Sequence, residues 1–195
     1  MVPSRRRLLA LLPLVLALPL WPGPGGSSSE RPQEASRPPP GLFYPRAIVV
    51  LRHAEKGSDD PLDPSLSEPG VLRALALQRL LAASGVTHVF ATEYQRTQQT
   101  VAPLAKAAGV HPQVVPARDP RALLSALADL PRNSLAVVVG HSNTVPGLVA
   151  ALAPAAPLVQ KGPEALELGE DDYDRLYVIT QWAPEKGAAV VELRY

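Results

Sequence analysis

Ala47-Ile48-Val49-Val50-Leu51 runs directly into Arg52-His53-Ala54-Glu55-Lys56. Five consecutive apolar residues, three of them β-branched, suit a strand buried on both faces of a parallel sheet. Ser134 to Val139 (SLAVVV) repeats that reading and is the clearest central strand of the chain. Val86 to Ala91 reads as a further strand, and His111 to Pro116 as a weak one. The spacing between these strands is helical. Ser67 is placed to cap a helix with Pro69 in its first turn, and Leu72, Leu75, Leu77, Leu80 and Leu81 follow. Gly85 sits where a C-terminal cap belongs. Thr97 to Ala108, Pro120 to Leu130 and Val145 to Leu152 read as three more helices, and Ala153 to Gly169 as a surface loop. Arg175 to Trp182 and Ala188 to Tyr195 read as a hairpin around Pro184-Glu185-Lys186-Gly187. The expected fold is therefore α/β: three layers, a mainly parallel central sheet flanked by helices, and a C-terminal β-hairpin.

The chain divides into two regimes. Of 23 prolines in 195 residues, ten precede residue 46. Arg5, Arg6 and Arg7 stand before an apolar run from Leu8 to Trp21, broken by Pro13 and Pro19. The run is short for a membrane span, which needs about 20 residues. A basic cluster followed by a short leucine-rich run reads as an export signal. Residues 1–26 are thus expected to be a signal peptide or N-terminal anchor. Residues 27–43, rich in Ser and Pro, form a linker, and 44–195 the folded domain. The expected destination is periplasmic or extracellular, with membrane contact only through an uncleaved N-terminus.

Composition removes several functions. The net charge of +1 gives no field to draw nucleic acid. Without cysteine there is no disulfide framework, thiol nucleophile or cysteine zinc site.

In open α/β sheets ligands bind beyond the carboxyl ends of the strands. Those ends carry Arg52-His53, then Thr92-Glu93-Tyr94-Gln95-Arg96, then Gly140-His141-Ser142-Asn143. If the strands are neighbours, two arginines and two histidines share one cleft. Guanidinium groups grip a phosphate dianion with forked, charge-assisted hydrogen bonds. A neutral imidazole can attack phosphorus, and a protonated one can stabilise charge on the transferring oxygens. A competing reading makes His53 and His141 metal ligands with Glu55 or Glu93. Two fixed positive neighbours argue against a cation there.

These motifs together resemble the histidine phosphatase superfamily, the phosphoglycerate mutase-like proteins, in a compact form. The resemblance rests on Val49-Val50-Leu51-Arg52-His53-Ala54-Glu55, Leu66-Ser67-Glu68-Pro69-Gly70, Thr92 to Thr100 and Val138-Val139-Gly140-His141-Ser142-Asn143. Ala54 stands where glycine is commoner. The resemblance implies that His53 is the nucleophile, that Arg52 and Arg96 clamp phosphate, and that His141 is the second histidine of the pocket. Asn143 joins them as a phosphate-binding residue. For the proton donor, Asp119, Glu93 and Glu55 are the candidates, with Asp119 slightly favoured. No cofactor or metal is expected. The expected activity is hydrolysis of phosphomonoesters or phosphoramidates, on a small molecule or a phosphoprotein, through a phosphohistidine. A phosphomutase and a non-catalytic phosphate-binding module are the alternatives.

Overall fold

A computed structural model of the chain describes residues 45–182 and 187–195. The expected signal, the linker and three residues of the hairpin turn, Pro184 to Lys186, lie outside the described residues.

Six strands form one sheet: β1 (Arg46–Arg52), β2 (His88–Ala91), β3 (Gln113–Val114), β4 (Leu135–Gly140), β5 (Arg175–Gln181) and β6 (Ala188–Arg194). Their order is β3-β2-β4-β1-β5-β6. The first four are mutually parallel; β5 runs antiparallel to β1 and pairs antiparallel with β6. Helices α1 (Glu68–Leu81), α2 (Gln95–Ala108), α3 (Pro120–Ala128), α4 (Val145–Leu152) and the short α5 (Pro157–Gln160) complete it.

Alternation along the central strands builds two cores. Val49 and Leu51 of β1 face one side with Val137 and Val139 of β4, under Leu77 of α1 and Val101 and Leu104 of α2. Ile48 and Val50 face the other side with Ala136 and Val138, under Leu127 of α3 and Val145 and Val149 of α4. Apolar residues on both faces of these strands require helices on both faces, which gives the three layers.

Most expected elements stand within two residues of their reading. Ser67 caps α1, its Oγ accepting from Gly70 N at 3.3 Å. Three details differ. Helix α1 ends at Leu81, and Gly85 (φ +74°) serves the turn into β2 rather than the cap. Strand β3 is only two residues long. The segment expected as a surface loop holds α5 and a 3-10 turn, Pro163–Leu166. Ala153, Ala156, Leu166 and Leu168 within it are buried in the core that also holds Tyr177 and Ile179.

Candidate active site

The register of the sheet brings the motifs together. Arg52 lies opposite Gly140 in the β1–β4 ladder, so His53 and His141 each follow one residue beyond the same edge. His53 N donates to Gly140 O at 2.9 Å and fixes that alignment. Strand β2 flanks β4 on its other side with Phe90 opposite Val138, which carries Thr92 to the same edge. The two imidazole centroids are 5.4 Å apart.

The loop after β1 is held by α1 and α2. Ala54 N donates to Thr100 Oγ1 at 2.9 Å, and that hydroxyl donates to Arg96 O at 2.7 Å. Leu66 N donates to Gln99 Oε1 at 2.8 Å. Ser67 N donates to Glu55 O at 2.9 Å. A side chain on Gly70 would place Cβ 2.2 Å from Glu55 O, so only glycine allows this approach. The residues around the Arg-His pair thus hold its backbone, and through it the imidazole.

His53 is 4 % exposed. Its Nδ1 lies 2.8 Å from its neighbour's carbonyl, Ala54 O. A carbonyl only accepts, so Nδ1 carries the proton and Nε2 keeps the lone pair. Burial pushes its pKa down to about 3, with the charges of His141, Arg52 and Arg96 acting the same way. His141 Nε2 lies 3.0 Å from Thr92 Oγ1, which lies 2.9 Å from Thr97 Oγ1. Thr97 donates to the Tyr94 carbonyl at 2.8 Å. The assignment that uses every contact runs from His141 Nε2–H through Thr92 to Thr97. Burial, then the Arg96 guanidinium, lowers the His141 pKa to about 4, while Glu93 pulls the other way. Both imidazoles are therefore neutral at pH 7.

Both arginines are oriented. Arg52 Nη1 donates to Gly169 O (2.7 Å) and Glu170 O (2.8 Å), and its guanidinium lies 4.1 Å from the Tyr173 ring centroid. The Arg96 guanidinium lies 4.3 Å from the Tyr94 centroid, and its Nη1 is 3.6 Å from Asp63 Oδ1. Arg52 Nε and Arg96 Nη1 are buried without a hydrogen-bond partner among the described residues. Buried unsatisfied guanidinium donors call for an acceptor. These residues line a polar cleft of about 420 Å³ that also includes Lys56, Arg118, Ser142 and Asn143.

The three carboxylates have different surroundings. Glu55 forms a forked pair with Arg73, with contacts of 2.7 to 3.0 Å. Burial alone would raise its pKa, and Arg73 overrides that to hold it low. Asp119 Oδ1 accepts from Ala122 N at 3.0 Å and caps α3; neither Asp119 nor Glu93 is among the residues that line the polar cleft. Glu93 Oε2 accepts from Ala117 N at 2.8 Å and acts electrostatically on His141. Sequence reading did not single out Tyr173, which arrives from the segment before β5 and carries no local signal. Tyr94 and Thr92 stood inside the Arg96 motif, yet only the fold shows what they touch.

Two imidazoles and two guanidinium groups meet at the carboxyl edge of the parallel strands, an arrangement whose chemistry suits a phosphate dianion. Residues 48–119 match the family model of the histidine phosphatase superfamily, branch 1. The matched stretch runs from β1 to the cap of α3 and holds Arg52, His53 and Arg96. The structure of a protein described as a putative phosphohistidine phosphatase SixA, from Nakamurella multipartitia, is 26% identical, covering 77% of this chain and 96% of its own, at a TM-score of 0.56. A mycobacterial glucosyl-3-phosphoglycerate phosphatase shares the fold at 16% identity, over 77% of this chain and 98% of its own, with a TM-score of 0.58. The protein histidine phosphatase SixA complexed with tungstate shares it at 15% identity, over 76% and 96%, with a TM-score of 0.55. A comparison with curated proteins finds no match.

Proposed function

We infer that this chain is an exported phosphatase that hydrolyses phosphomonoesters or phosphoramidates through a phosphohistidine on His53, without a metal. The observation that carries this is the His53 tautomer: Nδ1 is tied to Ala54 O, so neutral Nε2 keeps its lone pair, in a cleft that Arg52 and Arg96 also line. In the first step Nε2 forms a bond to phosphorus as the bond from phosphorus to the leaving group breaks. Arg52 Nε and Arg96 Nη1 supply donors to the phosphoryl oxygens. A dianion beside His141 favours its imidazolium, which adds a donor. In the second step water attacks phosphorus, inorganic phosphate leaves and His53 is restored. The leaving oxygen of an ester needs a proton. Of the three candidates Glu93 is the one whose charge acts on His141, and this reading takes it as the donor, ahead of Asp119 and Glu55. The solved relatives named as phosphatases support the activity class. Export rests on the basic cluster and apolar run of the first 21 residues.

The test compares the parent with His53→Ala on an aryl phosphate, with and without a chelator. Chelator-resistant turnover that falls by at least about a thousandfold in the variant is expected. Intact-mass measurement after an alkaline quench should show one phosphoryl adduct, absent from the variant. Loss of turnover on chelation, or an adduct that persists in His53→Ala, would overturn the mechanism.

A further inference from the structure

A second cavity, of about 320 Å³, adjoins the polar cleft. Its walls are the apolar faces of α3 and α4 and the end of β4, chiefly Leu123, Leu124, Val138, Val145 and Leu148. Ala117, Asn143 and Thr144 line both cavities. Thr92, bonded to His141, lines the second one as well. The two spaces therefore share a wall beside the reacting imidazoles.

Protein interiors leave few voids larger than a water molecule. This cavity is roughly twice the ~150 Å³ that admits benzene. Three of its polar lining residues are engaged: Asp119 caps α3, Thr144 Oγ1 accepts from His141 N at 2.9 Å, and Thr92 Oγ1 lies 3.0 Å from His141 Nε2; Asn143, at the border with the cleft, is the fourth. The space therefore suits a mainly apolar group, and the shared residues set it next to the cleft.

We propose that the substrate is a phosphomonoester of an apolar alcohol, whose aryl or medium-length alkyl body enters this cavity while its phosphate sits between Arg52 and Arg96. This rests on the phosphatase reading above. The bond changes are those already given: phosphorus passes to His53 Nε2, and the apolar alcohol leaves with its proton. The mixed character of the two spaces carries the proposal. One is lined by arginines, histidines and a lysine, the other by leucine, valine and proline.

The test uses calorimetric titration of the full chain with inorganic phosphate and with ethyl-, butyl- and hexylphosphonate. These ligands keep the phosphoryl oxygens and hold a P–C bond that hydrolysis cannot break. Each buried methylene should tighten binding about three- to fourfold, on the order of a hundredfold from ethyl to hexyl. Gly147 lines the cavity, and a Cβ added there meets nothing within 4 Å. Gly147→Leu should keep the affinity for inorganic phosphate and lose most of the chain-length gain. Leu123→Trp fills the cavity from α3 and should do the same. Phosphate binding with no dependence on chain length would overturn the proposal, as would a gain that survives in both folded variants. If neither phosphate nor any phosphonate binds, the phosphatase reading itself fails and takes the proposal with it.

Discussion

The carboxylates show how one residue type divides its work by surroundings. Asp119 and Glu93 are separated here by what each oxygen touches, since Asp119 caps a helix and Glu93 bridges to Ala117 beside His141. Asp119→Ala should cost about 1 kcal/mol of stability, the usual loss of an N-cap, and leave turnover within twofold. Glu93→Gln should slow alkyl phosphate esters by about a hundredfold or more. It should barely change a phosphoramidate, whose leaving group departs more easily. Steady-state rates on both substrate types check this, and equal losses on both would remove Glu93 as the proton donor. Sequence distance alone favoured Asp119, because spacing shows neither its cap bond to Ala122 nor the pull of Glu93 on His141. The motifs did carry Arg52, His53, Arg96 and His141 into one cleft. Tyr173 was illegible because stacking across 121 residues of chain leaves no local pattern.

The elements were legible where local chemistry agreed with the fold. The β-branched runs at Ile48–Leu51 and Ala136–Val139 became central strands because both faces are covered. Ser67 and Pro69 marked the start of α1 correctly. The segment from Ala153 to Gly169 misled because its alanines and prolines lack periodicity, while its burial comes from a core shared with β1, β4, α4 and β5. The junction between α1 and the loop after β1 makes a sharper prediction. Gly70→Ala would drive a methyl into Glu55 O, only two residues from His53. Something must shift, so the variant should lose about 2–3 kcal/mol in urea unfolding. Its kcat should also fall, since the displaced loop carries His53, the proposed nucleophile. A variant with unchanged midpoint and unchanged kcat would mean that this contact is softer than the geometry requires.

At the scale of the whole molecule, the site is a cost to the fold that depends on pH. Buried His53 and His141 have pKa values of about 3 and about 4, while an unfolded chain offers histidine near 6.5. Between these values the unfolded state binds protons that the folded state refuses. Stability is therefore full above about pH 6.5 and is lost as pH falls toward 4 and then 3. Glu55, held low by Arg73, acts only in the lower carboxylate range, so the interval from pH 6.5 to 5 isolates the two histidines among these groups. The loss there should be about 2 kcal/mol for each imidazole. Urea midpoints at pH 7 and pH 5 measure it. His53→Asn combined with His141→Asn should flatten the change, because asparagine does not titrate. Saturating inorganic phosphate should flatten it too, by favouring the charged imidazoles and binding only the folded chain. If the double variant loses as much stability as the parent over this interval, the acid sensitivity lies outside the cleft and the buried imidazoles are not its source.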